Sequence, residues 1–323
     1  VNARFHCMLP IRDEADIIGQ SLTHLLKWAD AIYIFDTGSV DDTWEIVQDY
    51  ALKDKRILPL RKDQVFFSDK CVRGWMFQQT RGHMQDGDWF LRVDADEFYH
   101  IPPPIFVNKY LNTNETVVYH QYYNFVLRES DVESWFEQRE TIADRVRPIE
   151  ERRQWYEVSL YAEPRLCRYR STMRWPETVS FPFNAGYVAQ ARLPIRHYPH
   201  RDPAQLMRRC RLRAVMMADK DNRSNWTSPE LHHWAEKEWQ KFITHDNNIN
   251  LKRWIPGTPL EEVKQLNHLA SPYKRLIQQF THRHLLSILD GTRPSWHSNT
   301  YPQKISPEII KKLETELKLN DCI

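Results

Sequence analysis

The sequence predicts an α/β fold, a mostly parallel sheet flanked by helices over residues 1–200, with a helical C-terminal portion over 201–323. Two observations predict it. The first hundred residues alternate strand and helix signals, the pattern of a parallel sheet with helices on its faces. From Pro203 onward the apolar residues recur at helical spacing, as in Leu206, Cys210, Ala214 and Met217. A length of 323 residues, about twice that of one usual domain, accommodates both parts.

Taken in order, Phe5 to Leu9 is a short apolar strand that Pro10 is expected to stop. A helix follows from near Asp13, with Ile18, Leu22, Leu25, Leu26 and Ala29 as its buried stripe. Ala31 to Phe35 is a strand that ends at Asp36, and Thr37-Gly38-Ser39 is its turn. Asp41 and Asp42 suit the start of a helix through Trp44, Val47 and Ala51, where a carboxylate meets the positive end of the helix dipole. Ile57 to Leu60 gives a third strand, residues 69–85 a third helix, and Trp89 to Val93 a fourth strand that runs into Asp94. Beyond Pro102-Pro103-Pro104 the regularity weakens. Val117 to Phe125 reads as an aromatic strand, 129–157 as charged and irregular, and Arg165 to Tyr169 as a strand. Further helices are expected near 229–245, 260–268, 272–289 and 306–318.

Composition removes several function classes. Forty-five Lys and Arg against 43 Asp and Glu leave a formal charge of +2, which lacks the basic excess of a nucleic-acid binder. Mean hydropathy is −0.67, and no apolar run approaches the ~20 residues of a spanning helix, so a soluble, cytoplasmic chain is expected. Five scattered cysteines without a CxxC pair fit free thiols, not a disulfide framework or a structural zinc site. Only eight glycines occur and none form GxGxxG, so a Rossmann fingerprint is absent. Gly82 and Gly87 have P-loop spacing, but Asp88-Trp89 stand where Lys-Ser/Thr is needed. Phosphate binding would therefore fall to a metal or to basic side chains.

The strongest local signal is Val93-Asp94-Ala95-Asp96-Glu97-Phe98 at a strand end. Three carboxylates in four positions repel one another unless a cation neutralises them. A hard Mg²⁺ or Mn²⁺, held by one or two carboxylates and a diphosphate, does this. Arg12-Asp13-Glu14 and Asp36-Thr37-Gly38-Ser39 follow the first two strands, and in a parallel sheet all three ends open on one edge.

Arg12 to Asp16, Phe35 to Thr43 and Trp89 to Phe98 together resemble bacterial glycosyltransferases of family two, in the branch whose metal motif reads D-x-D-E-F. The likeness spans roughly residues 3–100. It implies a GT-A fold, with 1–200 as the nucleotide-sugar-binding and catalytic domain. It further implies that Arg12, Glu14 and Asp36 serve the nucleoside, that Asp94 and Asp96 serve the donor diphosphate and its metal, and that Arg73 approaches them from the preceding helix. Downstream, Trp175-Pro176-Glu177 lies where relatives place a motif ending in Glu. Glu177 is the expected general base of an inverting transfer, although Pro176 stands where relatives often carry His. Asp131 and Asp144 are the reserves. His197, in Ile195 to Pro199, is the expected third metal ligand.

The implied reaction moves a sugar from a nucleotide-diphosphate sugar, a uridine diphosphate sugar by default, to a surface glycan or lipid-linked saccharide. Arg208, Arg209, Arg211 and Arg213 form a basic row that would meet a lipid phosphate or the inner face of the membrane in a peripheral contact, or lie on a solvated helix face. A sugar-phosphate nucleotidyltransferase is the rival enzyme, but Met8 to Asp13 lacks its Gly-rich basic loop. A non-catalytic carbohydrate-binding protein is the rival from another class.

Overall fold

A computed structural model describes residues 3–176, 179–217, 236–261, 272–292 and 301–318. Its strands are β1 (Phe5–Ile11), β2 (Ala31–Asp36), β3 (Ile57–Lys62), β4 (Trp89–Arg92), β5 (Glu97–Tyr99), β6 (Val117–Phe125), β7 (Trp155–Val158), β8 (Pro164–Arg168), β9 (Leu193–His197) and β10 (Lys252–Arg253). The helices are α1 (Ile18–Leu25), α2 (Thr43–Lys53), α3 (Asp69–Thr80), α4 (Pro103–Tyr110), α5 (Glu129–Phe136), α6 (Ile149–Arg152), α7 (Pro203–Met217), α8 (Pro272–His284), α9 (Leu286–Gly291) and α10 (Pro307–Lys318).

The sheet runs β10-β7-β6-β8-β4-β1-β2-β3. Its β4-β1-β2-β3 part is parallel, as the alternation predicts. β8 then joins β4 antiparallel, β6 joins β8 antiparallel, and β9 lies parallel to β6 with β5 antiparallel to it. The whole is a mixed sheet flanked by helices, the GT-A arrangement.

Strand alternation divides the core in two. Leu9, Ile11, Ile32 and Ile34 pack with Ile18, Leu22 and Val47 of α1 and α2 on one face. Met8, Tyr33, Phe35 and Phe90 pack with Val72, Met76 and Phe77 of α3 on the other. The chain therefore changes face between β1 and β4, and a crevice opens where their C-terminal ends part.

β1 does not stop at Pro10 but continues to Ile11. The hydrogen bonds explain why. The carbonyls of Phe5 and Ile11 face β2, receiving Asp30 and Thr37 N–H, whereas those of Arg4 and Met8 face β4, receiving Trp89 and Val93 N–H. Pro10 shares the parity of Met8, and β4 has already ended opposite it. The missing N–H leaves no ladder partner unpaired.

The stretch read as irregular, 129–157, contains α5, a 3₁₀ turn at Ile142–Val146, α6 and the start of β7. In the expected helix near 229–245, residues 236–242 form a 3₁₀ turn and 229–235 lie outside the described residues. Most of the one near 260–268 also lies outside them. The chain returns at 301–318: Phe66 N–H donates to Gln303 O and Ile305 N–H to Gln64 O, at 2.8 and 2.9 Å. Ile305, Ile309 and Leu313 then pack against Leu212 and Met216 of α7. Cys7, Cys71, Cys167 and Cys210 are free thiols, and among the described residues no helix is long and apolar enough to cross a membrane.

Candidate active site

The loops after β1 and β2 are laced together. Asp13 takes a left-handed φ of +53°, donates its N–H to Ser39 Oγ and accepts Val40 N–H on Oδ1, both at 2.9 Å. Glu14 N–H donates to Thr43 Oγ1 at 2.8 Å. Gly38 is required in this turn: its φ is +110°, and a Cβ there would lie 2.3 Å from Gln64 Oε1. Arg12 donates to Thr37 O at 2.8 Å and to Gln64 Oε1 at 3.4 Å, fixing the loop from below.

Asp36 closes this turn. Its Oδ1 accepts Gly38 and Ser39 N–H at 2.8 and 2.6 Å, and the residue is fully buried behind the cavity wall. Burial pushes its carboxyl up against those hydrogen bonds.

The motif after β4 is braced from beneath. Asp94 is paired with Arg73 and, at 3.2 Å, with Arg165. Arg73 is buried on α3 and also donates to Val93 O, so it is no surface cation. Buried Glu97 accepts Asp94 N–H on Oε2, and on Oε1 accepts Arg165 at 2.6 Å and the Tyr122 hydroxyl. Burial pushes the Glu97 carboxyl up, with Arg165 opposing.

Asp96 faces His197, whose Nε2 lies 3.6 Å from Oδ2, and Arg209, at 3.7 Å. The His197 ring stacks on Tyr122 with centroids 4.6 Å apart, and its Nδ1 lies 2.9 Å from Asn124 Oδ1. Burial by itself would raise Asp96, but His197, Arg209 and Arg201 hold its carboxyl well below the usual range.

α7 and its entry turn supply the third side. Fully buried Arg201 grips Asp16 through Nε and Nη2, at 2.5 and 2.8 Å, and Glu14 at 2.5 Å. Asp202, also buried, is held by Arg145 and Arg152, and Glu140 links Arg152 to Arg153. Arg208 reaches Asp13 at 3.2 Å. Together these elements wall a cavity of about 1400 Å³, with Trp135 and Phe136 of α5 on another side.

Of the residues expected from sequence, Arg12, Glu14, Arg73, Asp94, Asp96 and His197 all line this cavity. Asp36 does not, and Glu177 lies outside the described residues. Its described neighbours are fixed: buried Trp175 donates Nε1–H to Val179 O at 3.0 Å. Asp131 and Asp144, the reserves for the base, hold turns. Each accepts the backbone N–H of the residue three before it, Arg128 or Thr141, in a capping box, and neither lines the cavity. The basic row of α7 borders this cavity: Arg208, Arg209, Arg211 and Arg213 all line its wall. Sequence reasoning missed Arg201, Arg165 and Glu163, the last a cavity-lining carboxylate paired with Arg165 and Arg92.

Among the described residues no three His, Cys, Asp or Glu side chains form a ready metal cluster. Asp96 and His197 nevertheless converge as one carboxylate and one imidazole, a donor pair that suits Mn²⁺ when a diphosphate completes the coordination. Asp94 lines the same cavity, paired with Arg73 and with Arg165, which also meets Glu97 and Glu163.

A crevice at a parallel-sheet switch point, walled by acidic loops and arginines, is where open α/β folds bind their ligands. The pattern of glycosyl transferase family 2 matches residues 7–174, just over half the chain, and the chain belongs to that family. It is a glycosyltransferase, which sets aside both rivals. No curated protein sequence matches it. Among solved structures, a mannosyltransferase from Pyrobaculum calidifontis in complex with GDP-Man and Mn²⁺ is similar at 13% identity and a TM-score of 0.37, over 74% of this chain and 70% of that one. Mannosyl-3-phosphoglycerate synthase from Rubrobacter xylanophilus matches at 17% identity and 0.28, over 40% and 42%. Glucosyl-3-phosphoglycerate synthase from Mycobacterium tuberculosis matches at 18% and 0.25, over 52% and 57%. The chain thus spans only about half the length of the latter two.

Proposed function

We propose that this is a metal-dependent, inverting transferase of the D-x-D-E-F branch that passes a sugar from a nucleotide-diphosphate sugar to a bacterial surface glycan or lipid-linked saccharide. The observation that carries the reading is the convergence of the Asp96–His197 pair and the Arg73–Asp94 pair on one cavity. Residues 1–200 are the catalytic unit, and residues 201–323 its helical cover.

Asp96 and His197 would hold Mn²⁺ or Mg²⁺, which when bound neutralises charge on the departing diphosphate. Asp94, already paired, orients the donor and adds little further charge to the metal. Glu14 and Arg12 border the nucleoside, and Asp36 acts one step removed, by shaping the turn that carries Ser39. Arg209 sits beside Asp96, where its charge would also neutralise the donor phosphates. Glu177 takes the proton of the attacking hydroxyl.

The test is hydrolysis and transfer of uridine and guanosine diphosphate sugars with Mn²⁺, with Mg²⁺ and in excess chelator. Asp96→Ala should abolish metal stimulation while the fold melts normally. Full turnover in chelator overturns metal dependence, and no turnover of any sugar nucleotide overturns the donor class.

A further inference from the structure

We propose that α8 and α9 form a docking element for an anionic lipid surface. In α8 the helical spacing puts Tyr273, Leu276, Ile277 and Phe280 on one stripe, at i, i+3, i+4 and i+7. A surface helix ordinarily turns such a stripe toward the core. Here the four are 72, 66, 49 and 65% exposed, and Ile288 of α9 is 63% exposed. Large apolar side chains gathered outward in this way mark a contact surface.

Charge selects the occupant. Residues 272–289 contain Lys274, Arg275 and Arg283 and no aspartate or glutamate, in a chain whose 45 cations and 43 acids otherwise balance. By the same spacing Lys274 and Arg275 fall off the apolar stripe, while Arg283, seven positions after Leu276, falls along its edge. An aromatic and aliphatic stripe with cations beside it suits the boundary between headgroups and acyl chains, and anionic lipids add about 1 kcal/mol for each cation near the surface.

The element is also anchored. Fully buried Asp290, at the end of α9, accepts from Arg170 at 3.0 and 3.1 Å, from Thr172 at 2.8 Å and from Asn184 at 3.3 Å. Arg170 lies just past β8, and Arg168 of β8 pairs with Trp89 at the start of β4. The anchor therefore sits at the sheet edge opposite the cavity, so docking and chemistry are separable.

The experiment is flotation of the full chain with vesicles of phosphatidylcholine alone and of phosphatidylcholine with phosphatidylglycerol. The chain should float with the anionic vesicles, weakly with the neutral ones, and less at high salt. Leu276→Glu combined with Ile277→Glu should lower partitioning by roughly tenfold or more, the scale of losing two buried aliphatic side chains. The melting temperature and sugar-nucleotide turnover should not change. Tyr273→Ser, a milder change, should lower partitioning severalfold and guards against a misfolded double variant. Three outcomes overturn the proposal: no flotation with anionic vesicles, equal flotation of the variants, or a concentration-dependent dimer that the double variant abolishes, which would give the stripe to a second copy of the chain.

Discussion

Arg165 is the residue on which the acidic motif leans. It is buried and meets Glu97, Asp94 and Glu163 at once. Arg165→Met should lower unfolding free energy by about 3–5 kcal/mol, because it leaves a buried carboxylate without its cation; urea midpoints would measure this. Glu177→Gln should reduce kcat by 10²- to 10⁴-fold with nucleotide affinity nearly unchanged. A variant keeping more than about a tenth of kcat removes Glu177 as the base. Asp131→Ala and Asp144→Ala should behave oppositely, losing about 1 kcal/mol of stability each and no kcat, since both carboxylates cap turns. That capping was legible: Thr141-Ile142-Ala143-Asp144 follows the capping-box spacing. The grip of Arg201 on Glu14 and Asp16 was not, because nearly 190 positions separate the partners and no local pattern pairs them.

Among the elements, α1 meets β5 through a histidine that must be neutral. Tyr99 N–H donates to His24 Nε2 at 2.9 Å, and burial, with Arg196 and Lys27 nearby, pushes His24 from 6.5 down to about 3. An unfolded chain binds this proton near pH 6.5 and the folded one only near pH 3. The stabilising contribution is complete above about pH 6.5 and is lost as pH falls toward 3. His24→Gln keeps an acceptor without titrating, so its unfolding free energy should fall less steeply across that window. The turn after β2 gives a second test. Gly38→Ala should destabilise by about 2 kcal/mol through its positive φ and the clash with Gln64. Adding Gln64→Ala should restore only the clash share. The parallel half was readable because strands buried on both faces are continuous apolar runs and their helices keep a 3.6 period. The 129–157 stretch was not, since its short elements depend on ion pairs such as Arg145 with Asp202 and not on periodicity.

For the whole molecule, the C-terminal chain is fastened at two far-apart places: α10 against α7 beside the cavity, and Asp290 at the opposite sheet edge. Asp290→Asn should weaken the second fastening alone. Hydrogen exchange should then quicken in 286–292 and stay unchanged in 307–318, whereas equal quickening in both would mean that one cooperative unit joins them.

Pro10 bears on how the cavity stays open. A strand whose donors run to its last residue invites a neighbour to pair along its whole length. At Pro10 the side of β1 facing β4 offers no donor, so a ladder continued along the loop from Asp94 to Asp96 would lack one of its bonds. Closing the crevice by strand pairing is therefore less favourable at the point where substrate enters, by the want of one hydrogen atom.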